Sequence, residues 1–282
     1  MRRLLFLALM LAPAPASAAC ASLAASGLSF GTYSGLAVTN SAATVTLNGC
    51  TASFGYSVGL NAGTGMGATT TTRKLTSGAN TLNYQMFQDA AATTNWGNAQ
   101  NVDTRTGNTG QATSVPLNVY ARLLSLQYPA PGAYTDTITA TGLNSGNITT
   151  TFSVSATVSP TCTLSATLLD FGAYSGALTS GTSTITVTCT STTPWYVNLS
   201  NGAQPLCCWS NNMQGGSGAY LNYLLYQDPA HTVLWQNMVN VNGAPGTGTG
   251  TGQTLTVYGA IAAGQFVAPG LYSDTVIATV TY

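Results

Sequence analysis

The sequence predicts an all-β chain built of antiparallel β-sandwiches, and three observations support this prediction. Hydrophobic residues make up 45% of the 282 residues, whereas Glu and Lys, which favour helices, are respectively absent and present once. Segments that alternate apolar residues with polar residues or Thr recur at 44–50, 117–123, 184–189 and 274–282. A two-residue period is typical of strands with one buried face, and stretches rich in Gly, Asn and Pro separate these strands as turns.

A long internal repeat divides the chain into two copies. Four blocks occur twice, in the same order, at an offset of 138–141 residues. The pairs are FGTYSG (30–35) and FGAYSG (171–176), LNYQMFQD (82–89) and LNYLLYQD (221–228), PLNVYARL (116–123) and TLTVYGAI (254–261), and APGAYTDTITATG (130–142) and APGLYSDTVIATV (268–280). A period of this length fits a whole domain rather than a solenoid repeat. We therefore expect two domains, at 19–158 and 159–282, each long enough for its own core.

The first 18 residues have the pattern of a secretory signal peptide. Arg2 and Arg3 precede an apolar stretch at 4–11, which is too short to span a bilayer, and small residues at 16–18 form a cleavage site. We expect cleavage before Ala19. The rest of the sequence has no apolar run long enough for a membrane helix, so no membrane span is expected in the mature chain.

The charge of the mature chain argues against nucleic-acid binding. Removal of residues 1–18 leaves four basic residues against six Asp, a formal charge of −2. The basic residues form no patch that would neutralise several phosphates.

Four cysteines follow the repeat. Cys20 and Cys50 flank the first FGxYSG block, and Cys162 and Cys189 flank the second, so the internal symmetry favours the disulfides Cys20–Cys50 and Cys162–Cys189. Such bonds indicate an oxidising compartment. A metal site is disfavoured because the spacing is far from the CxxC type. A lipoprotein cleavage box ending at Cys20 is disfavoured because Ser17 stands where such boxes have Leu.

Two further cysteines, Cys207 and Cys208, lie outside the repeat. Adjacent residues are closer together than the usual disulfide geometry requires. The pair either forms a local disulfide that constrains the loop beside Trp209, which is the interpretation we favour, or is a redox-labile or intermolecular thiol pair.

The sequence gives little support to catalysis. His231 is the only histidine and follows Asp-Pro in a predicted turn. Asp89 and Asp228 are repeat equivalents, as are Asp136 and Asp274, which favours turn and backbone hydrogen bonding over an acid–base pair. Because no P-loop, GxSxG or HExxH motif is present, we expect neither an enzyme nor a cofactor or metal.

Taken together, the motifs resemble the spore coat protein U domain. A Cys shortly before FGxYSG, a second Cys after a Thr/Val strand, LNYxxxQD and a late Tyr-Asp-Thr strand occur in both copies. This family includes subunits of archaic, Csu-type chaperone–usher pili. The resemblance implies an incomplete immunoglobulin-like sandwich whose missing last strand is supplied by a periplasmic chaperone and then by the neighbouring subunit.

The two copies differ at their ends in a way that fits this mechanism. The segment ITTTFSVSATV at 148–158 alternates and is expected to complete the first sandwich, whereas the second ends at Tyr282 without such a segment. The expected strand-accepting edge of the second domain contains Thr275, Ile277, Thr279 and Tyr282, since an unpaired edge invites β-augmentation.

The expected role is that of a pilus tip adhesin in surface attachment and biofilm formation. Only Ala19 precedes Cys20 after cleavage, so the chain is expected to accept a strand and donate none. The expected partners are a periplasmic chaperone, an outer-membrane usher, an adjacent pilin subunit and an abiotic or host surface, with the protein exported through the periplasm to the pilus tip. The alternatives are a structural spore-coat or extracellular matrix protein and a secreted glycan-binding or glycan-cleaving β-sandwich.

Two loops of the first domain are the candidate adhesive surface. The loop at 61–80 carries Met66, and the loop at 89–110 carries Trp96. Both side chains are candidates for contact with apolar surfaces. Because Trp235 holds the corresponding place in the second copy, a structural role for Trp96 is the favoured alternative.

Overall fold

A computed structural model of the chain describes residues 19–51, 53–144, 146–203, 210–216, 218–237 and 242–282. All regular secondary structure in these ranges is β-strand, which confirms the all-β prediction. The predicted signal peptide and the pair Cys207 and Cys208 lie outside the described residues.

The first copy, residues 19–158, contains ten strands among its described residues, and they share one sheet system. The order is β1-β3-β8-β6-β5-β9-β10-β2, and β4 pairs with β7 and β9. The strands are β1 (Ser22–Ala25), β2 (Leu28–Tyr33), β3 (Thr39–Asn48), β4 (Gly55–Leu60), β5 (Arg73–Ser77), β6 (Asn80–Phe87), β7 (Arg105–Asn108), β8 (Ser114–Leu123), β9 (Gly132–Gly142) and β10 (Ile148–Val158).

The second copy, residues 159–282, has two sheets among its described residues. One has the order β11-β12-β17-β15-β14-β18 and the other the order β16-β13-β19. The strands are β11 (Cys162–Ala166), β12 (Thr179–Cys189), β13 (Pro194–Leu199), β14 (Asn211–Gly215), β15 (Tyr220–Tyr226), β16 (Ala244–Thr247), β17 (Gly252–Ile261), β18 (Tyr272–Ser273) and β19 (Ala278–Thr281).

Each copy has its own hydrophobic cluster, as expected when alternate residues of each strand point inward. The first cluster takes its buried residues from 20–158 and the second from 185–261. The predicted disulfides are both present, Cys20–Cys50 with an S–S distance of 1.98 Å and Cys162–Cys189 with 2.00 Å. Each closes a loop of about 30 residues, for which chain entropy predicts a stabilisation of roughly 3.5 kcal/mol.

The copies differ in one element, β10. In the first copy β10 pairs antiparallel with β9 along its whole length and parallel with β2, so it lies between them. The described residues of the second copy have no strand in the corresponding place. The alternating segment at 274–282, predicted as one strand, is accordingly interrupted: residues 274–277 belong to no ladder, between β18 and β19.

Candidate functional site

A groove runs through the second copy at the place that β10 fills in the first. A cavity of about 560 Å³ lies between the segment 166–171 and the segment 271–278, and a second one of about 470 Å³ continues along 169–174 and 267–272. The floor is mainly apolar. Its side chains include Ile185, Leu199, Met213, Leu225 and Val257.

The register of β10 in the first copy shows which side chains such a groove receives. Phe152, Val154, Ala156 and Val158 point inward and are all at least 95% buried. On β9 they lie opposite Ile138, Asp136, Tyr134 and Gly132 respectively. Alternate residues of β10 therefore belong to the hydrophobic core of the first copy.

One wall of the groove is the segment equivalent to β9. Tyr134, Asp136 and Ile138 are at most 3% exposed beneath β10. The repeat equivalents Tyr272, Asp274 and Val276 are only partly buried. The corresponding wall of the second copy thus has similar residue types, but no strand among the described residues covers it.

The other wall is the segment equivalent to β2. Leu28 and Phe30 are at most 6% exposed, whereas their equivalents Leu169 and Phe171 are partly exposed and lie outside any strand. Phe171 still packs edge-on against Tyr223, with ring centroids 5.6 Å apart, as Phe30 packs against Tyr84 at 6.0 Å. Phe171 therefore keeps the same aromatic contact as Phe30, although residues 169–174 belong to no strand.

A carboxylate lies at the centre of the groove. The Tyr223 hydroxyl donates to Asp274 Oδ2 at 2.8 Å, and the backbone N–H groups of Ala203 and Thr275 donate to Oδ1 at 2.8 and 2.7 Å. Burial raises the pKa of Tyr223, and the hydrogen bond to Asp274 raises it further. Gly202 lies against this carboxylate with a φ of 79°, and a Cβ there would lie 1.9 Å from Oδ2, so only glycine fits.

The first copy repeats this arrangement under the cover of β10. The Tyr84 hydroxyl donates to Asp136 Oδ2 at 2.7 Å, and the backbone N–H of Thr64 donates to Oδ1 at 2.7 Å. Burial and the Asp136 carboxylate raise the pKa of Tyr84. Since both copies have the same carboxylate cluster, it is a structural feature of the repeat, in agreement with the expected role of these Asp residues.

The residues predicted for the strand-accepting edge lie in or just after the segment that borders the cavity, and three of them, Thr275, Ile277 and Thr279, alternate with its more buried residues. Thr275 borders the cavity, while Ile277 and Tyr282 are 63% and 56% exposed. Thr279 belongs to β19 and pairs with Asn198 of β13. Sequence reasoning missed the inward set, which comprises Tyr272, Asp274, Val276 and Ala278, and it missed the wall formed by Leu168, Leu169 and Phe171. Alignment of Leu169 and Phe171 with Leu28 and Phe30 was the signal that could have revealed this wall.

Of the two candidate adhesive side chains, only Met66 is exposed. Met66 is 92% exposed on the loop between β4 and β5. Trp96 is fully buried and donates its indole N–H to Val58 O at 2.8 Å, as Trp235 does to Val197 O. The interpretation of Trp96 as a surface-contact residue is therefore wrong, and the indole fixes the loop to β4 instead.

A buried arginine anchors the base of the Met66 loop. Arg73 is fully buried and donates to the backbone carbonyls of Leu60, Asn61, Thr70 and Trp96. Burial lowers its pKa to about 10, so it stays charged at neutral pH. Because Leu60 and Asn61 before the loop and Thr70 near its end all accept from this one side chain, Met66 projects from a fixed base.

The groups considered for catalysis in the sequence analysis lie in hydrogen-bonded turns. Asp89 accepts the backbone N–H groups of Thr93 and Thr94, and these bonds lower its pKa; Asp228 is bound in the same way in the second copy. His231 lies in the turn after Asp228 with a φ of 55°. The described residues contain no group of three His, Cys, Asp or Glu side chains that could hold a metal ion.

Among the described residues, no helix has the length and apolar character needed to cross a membrane.

Comparisons with known proteins identify a domain family that matches the chain twice. The chain matches the Spore Coat Protein U domain at residues 6–141 and again at 148–279. It is 30% identical over 128 residues to Protein U of Myxococcus xanthus, a match that covers 40% of this chain and 71% of Protein U.

A solved structure has a similar fold. It is the crystal structure of the CsuC–CsuE chaperone–tip adhesion subunit pre-assembly complex from archaic chaperone–usher Csu pili of Acinetobacter baumannii. The similarity has a TM-score of 0.53 at 16% identity and covers 93% of this chain and 99% of the matched chain. The two matched segments together span most of the sequence, and the chain therefore belongs to the Spore Coat Protein U domain family.

Proposed function

We propose that this protein is the tip adhesin of a chaperone–usher pilus, with an adhesive first domain at 19–158 and a second domain at 159–282 that accepts a donor strand. The observation that supports this proposal most directly is the groove of the second copy, which has the shape and residue types of the place that β10 fills in the first.

The groove has both requirements for binding an added strand. Its lining is mainly apolar, the inward side chains of its two walls are partly exposed, and the backbone at 274–277 has no ladder partner among the described residues. An added strand would pair with this backbone and place alternate side chains on the apolar floor, as in β-augmentation. By analogy with β10, it would run antiparallel to 270–280 and parallel to 168–174.

Residues 19–25 form hydrogen bonds within the first copy. Ala21 N–H donates to Asn48 O at 2.9 Å, Thr51 N–H donates to Ala19 O at 3.1 Å, and β1 pairs with β3. Residues 19–25 are thus bound within their own copy. In the proposed assembly this segment therefore belongs to its own domain and is not the strand donated to a neighbouring subunit.

The remaining parts of the proposal follow from this assembly mechanism. A periplasmic chaperone would fill the groove until an outer-membrane usher exchanges it for the adjacent pilin, and the mature protein would lie at the cell surface without enzymatic activity. The first domain would attach to an abiotic or host surface through Met66, promoting biofilm formation. The fold shared with a chain of the Csu chaperone–tip complex is consistent with these partners.

A peptide with the sequence of β10, residues 148–158, tests the groove directly. We expect it to bind the full-length protein at one equivalent and to slow hydrogen exchange at 270–280. A control peptide with Val154→Asp should not bind, because it would place a second carboxylate beside Asp274. If the wild-type peptide fails to bind and the unliganded protein is a stable monomer, the open-groove proposal is wrong and a self-contained coat or matrix protein becomes the better explanation.

A further inference from the structure

The link between the two copies already shows how a filled groove leads into the next domain. β10 completes the first copy and ends at Val158, and β11 of the second copy begins at Cys162 after three residues. The strand that fills the groove of the first copy is therefore also the segment directly ahead of the second copy.

A specific loop of the first copy contacts the second copy at this joint. The loop is 124–131, between β8 and β9. Its Tyr128 carbonyl accepts the backbone N–H of Ser191 at 3.0 Å, and a Cβ added to Gly250 would lie 2.9 Å from the same oxygen. Two turns of the second copy, at 190–193 and 248–251, thus meet one loop of the first.

The equivalent loop of the second copy, 262–269, is held in the same shape. Gln265 Nε2 donates to Asn222 O at 2.9 Å, as Gln127 Nε2 donates to Asn83 O. The Tyr272 hydroxyl donates to Ala268 O at 2.8 Å, in parallel with the bond from Tyr134 to Ala130. The loop is therefore formed before anything contacts it.

The two loops differ in the exposure of one aromatic side chain, since the Tyr128 ring lies close to Gly35 of its own copy while its carbonyl contacts the second copy. Tyr128 is partly buried, whereas Phe266, at the same place in the repeat, is 96% exposed. A neighbouring loop, joined by the Gly264 N–H to Gly176 O bond of 2.9 Å, carries Leu178, which is 65% exposed. Large apolar side chains presented on a preformed loop indicate an interaction surface.

We propose that the loop 262–269, with Phe266 at its centre, docks the domain that donates the strand, and that this joint repeats the one inside the chain. This inference rests on the proposed function. The partner would be a further domain of the same family, whose alternating donor segment ends about three residues before its first half-cystine, as Val158 precedes Cys162. Its turns equivalent to 190–193 and 248–251 would cover Phe266.

A tandem chain reproduces this joint in one molecule. It consists of residues 19–279 followed directly by 142–282, so that Gly142 follows Thr279 as it follows Thr141 in the first copy. The added β10 then fills the groove of the middle domain, and the added second copy presents its own turns to Phe266. The measurement is the urea-unfolding equilibrium constant of the middle domain, compared with that of the second domain in the ordinary chain.

The substitution Phe266→Ala in the middle domain should raise this unfolding constant roughly fivefold, because part of the ring is buried there. In the ordinary chain the effect should be less than about twofold, since the ring is exposed. The matched control Val233→Ala, at another exposed apolar side chain, should have less than about a twofold effect in both chains.

The outcomes separate the two proposals. If the middle domain is no more stable than the second domain of the ordinary chain, the added strand does not fill the groove, and both the proposed function and the joint are refuted. If the middle domain is stabilised but Phe266→Ala has the same small effect in both chains, only the proposed docking surface is refuted.

Discussion

The substitution Val154→Ala is the sharpest test of the idea that a strand with the side-chain pattern of β10 completes both copies in the same register. Val154 is fully buried at the centre of β10, opposite Asp136 on β9 and Leu28 on β2. The substitution removes two methyl-sized groups from a packed site and leaves the backbone pairing intact.

The expected cost follows from burial. Loss of transfer free energy for two methylene equivalents is about 1.6 kcal/mol, and incomplete relaxation of the cavity brings the total to about 2 kcal/mol. The unfolding equilibrium constant of the first domain should therefore rise roughly thirtyfold. If β10 occupies both grooves in the same register, a β10 peptide with this substitution should bind the second domain roughly thirtyfold more weakly as well.

Urea unfolding of the full-length protein measures the first effect, and titration with the two peptides measures the second. The control is Ser153→Ala, because Ser153 is the exposed neighbour on the opposite face of β10 and should change either quantity by less than about 0.5 kcal/mol. A large loss of stability in the first domain together with unchanged peptide affinity would show that the second groove binds a different register, and the reasoning from the repeat would be refuted.

Three further changes test the other assignments. Met66→Ser should reduce retention on a hydrophobic surface several-fold without changing the unfolding midpoint, since the side chain is 92% exposed; unchanged retention would exclude Met66 as a contact residue. Trp96→Phe should destabilise the first domain by about 2 kcal/mol in urea unfolding, because it leaves the buried Val58 carbonyl without its indole donor, and should not reduce adhesion per folded molecule; lower adhesion of the folded variant would contradict its structural role. Stability should fall as the pH rises above about 10, because the pKa of Tyr84 is raised in the folded state, so only the unfolded state loses this proton there, whereas below about pH 10 the contribution is complete. Unfolding measured at pH 8 and 10.5 should show a smaller fall for Tyr84→Phe, and an equal fall would mean that other groups cause it.

Sequence reasoning succeeded where the information was local or repeated. Two-residue alternation predicted the strands around 44–50 and 184–189, and the symmetry of the repeat was sufficient to pair Cys20 with Cys50 and Cys162 with Cys189. Comparison of the copies also predicted that the second has no counterpart of β10, and its described residues contain none. These features depend on neighbours in sequence or on matching blocks, which a single chain displays directly.

Features that depend on contacts between residues distant in sequence were harder to predict. Trp96 lies in a polar, Gly-containing stretch that is typical of an exposed loop. Its indole is nevertheless buried and donates a hydrogen bond to the Val58 carbonyl of β4, which is distant in sequence. Arg73 lies in the stretch 61–80 that the sequence assigns to a loop, yet it is buried and donates to the carbonyls of four separate residues. Alternation at 274–282 predicted one continuous strand, but a strand also needs neighbours, and residues 274–277 have no ladder partner among the described residues.

The position of β10 has a mechanical consequence. If the first domain is held on a surface and the second is pulled away, tension enters β10 through the three residues that follow Val158 and acts along the axis of the strand. β10 is hydrogen-bonded to β9 and β2 on its two sides, so the force shears many bonds together instead of opening them one after another. Just beyond, the Cys162–Cys189 disulfide ties the pulled segment covalently to β12. The joint is therefore arranged to resist rapidly applied tensile force. Under such force, rupture would be governed by the unfolding rate of the first domain rather than by the equilibrium stability of that domain.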